Sequence, residues 1–177
     1  ISHEEISLNK DKNGLIISLS IYEGPKYFYR NINWTGNHIH SNEELSNKLG
    51  LLEGDLFNKS KLMFSISEKI NPLYMDDGYF HFQAMPEIIP VSKDSVDINF
   101  LISEGDLVKV RKIIISGNSK TYENVVRREL MIFPGDTFSR KKLLESYRDI
   151  FMLNFFGNVS PNVVPVDDDE IDIIFHI

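Results

Sequence analysis

Residues 30–37, Arg-Asn-Ile-Asn-Trp-Thr-Gly-Asn, return as residues 111–118, Arg-Lys-Ile-Ile-Ile-Ser-Gly-Asn, which is 81 positions further along (30 to 111). The stretch Gly54-Asp55-Leu56-Phe57 returns at the same spacing as Gly135-Asp136-Thr137-Phe138. Self-similarity at a fixed period is the sequence signature of repeated modules. We therefore expect two complete modules, residues 26–105 (the first module) and residues 106–177 (the second module).

The repeat also reaches back before the first module. The stretch from Val96 to Gly105 matches the stretch from Leu15 to Gly24, and both end in Glu-Gly. We therefore predict that residues 1–25 are the C-terminal hairpin of a preceding, truncated module. The chain begins and ends inside apolar patterns, so we expect it to be part of a longer protein. The links Gly24-Pro25-Lys26 and Gly105-Asp106-Leu107 are short, and they predict semi-rigid articulation between modules.

Each module carries the pattern strand, helix, helix, strand, strand. In the first module we predict strands over 27–34, 79–89 and 96–103. Two helices lie between the first and second of these strands. The first is capped by Ser41 and ends at Gly50, and the second has an apolar stripe. The stripe consists of Leu62, Ile66, Ile70 and Leu73. In the second module the strands are 108–116, 158–165 and 170–177, and the helices 122–132 and 140–155. The fold class is α+β, with tandem βααββ modules, each a three-stranded mixed sheet packed on two antiparallel helices.

Prolines predict the strand order. The middle strand of the first module carries Pro86 and, just past its end, Pro90, and its counterpart carries Pro161 and Pro165. Proline cannot donate to a strand ladder and is largely confined to edge strands or strand ends. We therefore place this strand at the sheet edge and the more apolar final strand at the centre. Aromatic residues predicted to be core are Trp34, Phe57, Phe80, Phe100 and Phe138.

Composition excludes several functions. The chain has 177 residues and a formal net charge of -7, whereas proteins that bind nucleic acid usually show a basic surface. It contains no cysteine and therefore no disulfide or zinc-thiolate site. No apolar run approaches the length of a membrane-spanning helix. Serines and histidines are scattered without the spacing of a nucleophile and its base, so we expect neither an enzyme nor a cofactor.

Four charged or histidine-rich stretches are candidate sites. His38-Ile39-His40 offers two metal ligands without a third at motif spacing, which favours a solvated turn. Asp167-Asp168-Asp169-Glu170 offers oxygen ligands for a hard cation, but its place between two strands favours a solvated hairpin loop. The basic clusters Arg127-Arg128 and Arg140-Lys141-Lys142 are able to dock an acidic partner, although solvated helix faces explain them as well.

The module resembles the polypeptide-transport-associated (POTRA) domain. Four features carry the resemblance: Gly-Asn after the first strand, the Gly-Asp-x-Phe loop, Gly78-Tyr79-Phe80 after the second helix, and Glu-Gly after the last strand. The second module departs at Gly157-Asn158-Val159, where Gly-Tyr-Phe is expected. We therefore expect the second module to bind more weakly than the first.

The resemblance implies the periplasmic arm of a BamA-type outer-membrane protein assembly factor in a Gram-negative bacterium. In that family the arm precedes a membrane-embedded C-terminal β-barrel, binds accessory lipoproteins and receives unfolded outer-membrane β-barrel proteins. The alternative is the POTRA region of a two-partner secretion or TamA-type translocation transporter.

The expected mechanism is β-augmentation, in which an extended client pairs with a free sheet edge. The predicted binding strand consists of Tyr79, Phe80, His81, Phe82, Gln83, Ala84 and Met85. A second, weaker candidate consists of Asn158, Val159, Ser160 and Asn162. The alternative is that both edges are merely solvated and protected by their prolines.

Overall fold

A computed structural model describes residues 3–8, 14–20 and 24–177. Its first element is an antiparallel hairpin of β1 (His3–Leu8) and β2 (Leu15–Ser20). Ile6 and Ile17 of this hairpin are 60% and 58% exposed. The predicted match between its Glu23-Gly24 end and Glu104-Gly105 falls partly outside the described residues, since Glu23 is not among them.

The first module contains one mixed three-stranded sheet. Its strands are β3 (Phe28–Thr35), β4 (Gln83–Pro90) and β5 (Ser95–Ser103), in the order β3-β5-β4. The central strand β5 runs parallel to β3 and antiparallel to β4. The prediction that the proline-bearing strand lies at an edge is therefore confirmed.

The first helix of the module begins and ends at the predicted caps. Helix α1 (Asn42–Leu49) starts where the Ser41 hydroxyl accepts a hydrogen bond from the Glu44 N–H at 3.2 Å. It ends at Gly50, whose φ of +69° lies in the left-handed region that glycine favours.

The second helix of the module is interrupted. It consists of α2 (Lys59–Ser65), a π-helical turn over Ile66–Ile70, and α3 (Asn71–Asp76). Pro72 explains the interruption, because proline lacks an N–H and collides with the carbonyl four residues earlier. The extra residue in the turn shifts the buried face, so that Tyr74 is fully buried and the predicted Leu73 only partly so.

The second module repeats this topology. Its elements are β6 (Lys109–Ser116), α4 (Glu123–Arg127), α5 (Arg140–Met152), β7 (Ser160–Pro165) and β8 (Glu170–His176), with strand order β6-β8-β7. Helix α4 is shorter than the predicted 122–132. Helix α5 ends at Met152, before the predicted residue 155. Asn154, two residues further on, takes a positive φ of 59°.

Each module has its own core between sheet and helices. In the first, Trp34 stacks on Phe100 with ring centroids 4.1 Å apart, and both residues are buried as predicted. In the second, Phe138 is only 2% exposed. Its counterpart Phe57 is partly buried and meets Tyr29 edge-to-face at 5.4 Å.

An equivalent arginine–aspartate ion pair joins the first and last strands of each module, next to a bulge in the first strand. Arg30 binds Asp97 through two hydrogen bonds of 2.8 and 2.5 Å, and Arg111 binds Asp172 through two of 2.9 and 2.6 Å. The register of each parallel pair shifts beside these arginines. The Arg30 guanidinium holds the pKa of the Asp97 carboxyl below its usual value, and Arg111 does the same for Asp172.

Candidate functional site

The Gly-Asp-x-Phe loop of each module pairs with the start of one edge strand of the sheet. The Tyr29 N–H donates to the Asp55 carbonyl at 3.0 Å, and the Gly54 N–H donates back to the Tyr29 carbonyl at 2.7 Å. In the second module Val110 makes the same pair of bonds with residues 135–136, at 2.9 and 2.7 Å. The loop motif therefore pairs with the start of the first strand and not with the opposite edge, β4 or β7.

The outer side of β4 has no strand paired to it within the described residues. The Val91 N–H donates to the Ser95 carbonyl at 3.0 Å, which fixes the alternation of the antiparallel ladder. Inward-bonding and outward-facing residues alternate in such a ladder. Counting back from Val91 through the continuous register, the backbone groups that face outward belong to Ala84, Pro86, Ile88 and Pro90.

An apolar groove runs beside this edge. Met63 and Phe64 on α2 are 46% and 61% exposed, and Met85 on β4 is 54% exposed. The Asn71 side-chain oxygen is buried at this groove without a hydrogen-bond partner in the described structure. Sequence reasoning missed these helix residues, although the signal was present: Met63 and Phe64 are apolar yet lie off the buried stripe.

The structure corrects four residues of the predicted binding strand. Tyr79, Phe80, His81 and Phe82 precede β4 and form turns. The chain reverses at Gly78, whose φ is +101°, and the Tyr79 N–H returns to the carbonyl of Tyr74 at 3.0 Å. Only Gln83, Ala84 and Met85 of the predicted set lie on the edge strand.

The aromatic side chains of this turn are used for packing. Phe82 is 7% exposed and stacks on Tyr74 with centroids 3.9 Å apart. Phe80 instead reaches the second module and meets Phe138 edge-to-face at 5.2 Å. Phe80 is therefore partly buried against the core of the second module, and the predicted core role holds across the junction.

Two polar contacts join the modules at the same place. The Val108 N–H donates to the Gly78 carbonyl at 3.0 Å. The Asp76 carboxylate accepts a hydrogen bond of 2.6 Å from the Lys141 N–H in the first turn of α5. A residue of the first module thus helps to cap a helix of the second.

The second candidate edge is only partly as predicted. Ser160 and Asn162 lie on β7, the edge strand, but Asn158 and Val159 precede it. Val159 is 4% exposed, because its side chain fills the second core. The Val166 N–H donates to the Glu170 carbonyl at 2.9 Å, and the register from there leaves residues 161, 163 and 165 facing outward.

The turn after β3 is more buried and makes more hydrogen bonds than its sequence predicts. His40 is buried, which corrects the solvated reading, and its ring nitrogens lie 3.1 Å from carboxylate oxygens of Glu44 and Asp77. Glu104, of the Glu-Gly motif, accepts hydrogen bonds from the N–H groups of His38 and Ile39 and from the Tyr74 hydroxyl. Burial alone would raise the pKa of Glu104, but these donors outweigh it and lower the pKa.

The acidic stretch between β7 and β8 lies in a loop. Residues 167–169 form the bend between β7 and β8, as the hairpin-loop prediction required. Among residues 3–8, 14–20 and 24–177, no group of three or more histidine, aspartate or glutamate side chains stands close enough to hold a metal ion. No helix in the described part of the chain has the length and apolar character to cross a membrane.

Comparison with known proteins gives consistent results. The family model POTRA, described as the surface antigen variable number repeat, matches residues 27–105 and again residues 108–177. The chain is 29% identical over 175 residues to the outer membrane protein assembly factor BamA of Nitratidesulfovibrio vulgaris, and 27% identical over 176 residues to that of Neisseria meningitidis. These matches cover 92% and 96% of this chain. The chain spans about a fifth of the length of these relatives, 21% and 22%.

Solved structures share the fold. The Haemophilus influenzae BamA POTRA3-5 crystal structure superimposes with a TM-score of 0.83 at 20% identity, over 100% of this chain and 71% of that one. BamA of Haemophilus ducreyi lacking POTRA domains 1-3 gives 0.66 at 24% identity, over 86% of this chain and 29% of that one.

Proposed function

The chain belongs to the POTRA family, and from that premise we propose that it is a periplasmic scaffold of an outer-membrane β-barrel protein assembly machine. Relatives that match nearly all of the chain are named outer membrane protein assembly factor BamA. We propose the division into a hairpin of a preceding module, residues 1–25, and two modules, residues 26–105 and 106–177. Accessory lipoproteins are proposed partners on the strength of the family.

The proposed binding site is the open edge of β4 together with its groove. The observation that carries the proposal is that the outer side of β4 has no strand beside it within the described residues, and that exposed Met63, Phe64 and Met85 lie next to it. An extended client that pairs with β4 continues the sheet, and alternate side chains of such a strand point to the same face. An unfolded outer-membrane β-strand is alternately apolar, so its apolar side chains match the groove.

Binding through such an edge is general and weak. Backbone hydrogen bonds do not depend on side-chain identity, so one edge accepts many client sequences. Each bond contributes about 0.5–1.5 kcal/mol net, and ordering the client opposes this gain. A scaffold that hands its client onward requires this reversibility.

The two modules are proposed to bind unequally. The edge of β7 is shorter than that of β4, six residues against eight. In the second module Val159, which precedes β7, is committed to the core. We therefore assign the main client site to the first module and a weaker one to β7, where Ser160 and Asn162 lie and residues 161, 163 and 165 face outward.

The test is an NMR titration of the ¹⁵N-labelled chain with a proline-free peptide that copies one alternating strand of an outer-membrane protein. We expect amide shifts at Ala84 and Ile88 and at groove residues Met63 and Phe64. Phe64→Ala should weaken binding, whereas Tyr122→Ala, which removes a side chain 83% exposed in the second module, should not. Shifts confined to residues outside β4, β7 and the groove would contradict the proposal.

A further inference from the structure

Both open edges carry prolines at equivalent places. Pro86 and Pro90 of β4 correspond to Pro161 and Pro165 of β7, each pair separated by 75 positions (86 to 161, 90 to 165). The hairpin hydrogen bonds of Val91 and Val166 place all four prolines among the residues whose backbone faces outward. No ladder bond is lost within either sheet, because the missing N–H groups would have pointed to the exterior.

The consequence is an edge with many acceptors and few donors. On β4 the outward residues Ala84, Pro86, Ile88 and Pro90 present four carbonyls but only two N–H groups. On β7 the outward residues Pro161, Val163 and Pro165 present three carbonyls and one N–H group. Any strand that pairs with either edge must supply most of the donors itself.

We propose that these prolines select the partner: they admit a proline-free client strand while they disfavour pairing between two copies of this chain. A client with an N–H at every facing position is able to form six hydrogen bonds with β4, four to its carbonyls and two from its amides. Two copies of β4 paired antiparallel form at most four, because each contributes only two donors. Without the prolines, client pairing and self-pairing would each form eight hydrogen bonds.

The penalty is therefore asymmetric. Self-pairing loses four of eight bonds, and client pairing loses two. At about 0.5–1.5 kcal/mol per bond, each lost bond lowers affinity roughly two- to twelvefold. An exposed sheet edge is a template for aggregation, and the prolines lower this risk more than they lower client binding. The statement about clients rests on the proposed function, whereas the statement about self-pairing does not.

The first experiment measures self-association. Pro86→Ala with Pro90→Ala restores two outward donors on β4, and Pro134→Ala is the matched control because Pro134 lies in an exposed turn away from both edges. In sedimentation velocity over a concentration series, we expect wild type and the control to sediment alike and the double variant to associate. A double variant with native circular dichroism that sediments as wild type at every concentration would overturn the self-pairing role.

The second experiment works in the opposite direction and does not depend on that variant's folding. Ala84→Pro removes one outward donor of β4 and leaves the ladder bonds to β5 in place. Affinity for the proline-free strand peptide should fall roughly two- to twelvefold, and unchanged affinity would overturn the client part of the inference.

The outcomes separate the two proposals. If the peptide binds β4 in wild type but no proline change alters its affinity, the selection fails and the proposed function stands. If no peptide binds while the double variant self-associates, the proposed client site fails and the role of the prolines against self-pairing stands.

Discussion

Gly78→Ala is the substitution that best tests the junction between the modules. Gly78 is buried with a φ of +101°, and an added Cβ would collide with the Thr137 Cγ2 and lie 3.1 Å from the Leu107 Cδ2. A left-handed backbone costs an L-residue roughly 1–2 kcal/mol, and overpacking costs about 1–3 kcal/mol. We therefore expect a loss of about 2–5 kcal/mol in the free energy of unfolding, measured by urea denaturation.

Gly54→Ala is the matched control. Gly54 has a φ of +85°, but nothing lies within 4 Å of its added Cβ. Only the backbone cost of roughly 1–2 kcal/mol should appear there. Thr137→Ser in the Gly78→Ala background removes the colliding methyl group and should restore part of the loss. Equal losses for Gly78→Ala and Gly54→Ala, with no rescue by Thr137→Ser, would refute the packed junction.

Three further predictions concern stability. Phe138→Ala should cost about 3–5 kcal/mol and Phe57→Ala less, because Phe57 is only partly buried, as compared by urea denaturation. Asp76→Ala should cost about 0.5–2 kcal/mol through loss of a helix cap, with a smaller loss for Asp76→Asn. Asp97 and Asp172 have lowered pKa values in the folded protein, so their contribution is complete above about pH 4 and is lost as pH falls through the folded values. Denaturation midpoints against pH should therefore fall less steeply for Asp97→Asn with Asp172→Asn than for wild type.

Local signals were sufficient for much of the fold. Ser41 and Gly50 mark the two ends of α1 by hydrogen bonding and backbone conformation that depend on neighbouring residues only. Pro86 and Pro161 indicated the edge strands, because a missing N–H is a property of the residue itself. The period of the repeat then transferred each inference from one module to the other.

Features that depend on distant residues could not be predicted in this way. The aromatic run from Tyr79 to Phe82 has the alternation of a strand, but Tyr74 and Phe138 draw its side chains into two separate cores. His40 looked solvated because its carboxylate neighbour Asp77 lies far along the chain. The repeat does contain a signal for the junction. Gly-Tyr-Phe is present in the first module alone, and Phe80 of this motif makes the contact with Phe138 of the second module.

We propose that an extended client becomes a fourth strand beside β4. The most direct measurement is a set of intermolecular nuclear Overhauser effects between a labelled strand peptide and the intact chain. Contacts from peptide backbone protons to the amide protons of Ala84 and Ile88, together with slowed exchange of those two amides, are the expected result. A bound peptide whose backbone contacts only helix residues or the β3 side of the sheet would contradict the account.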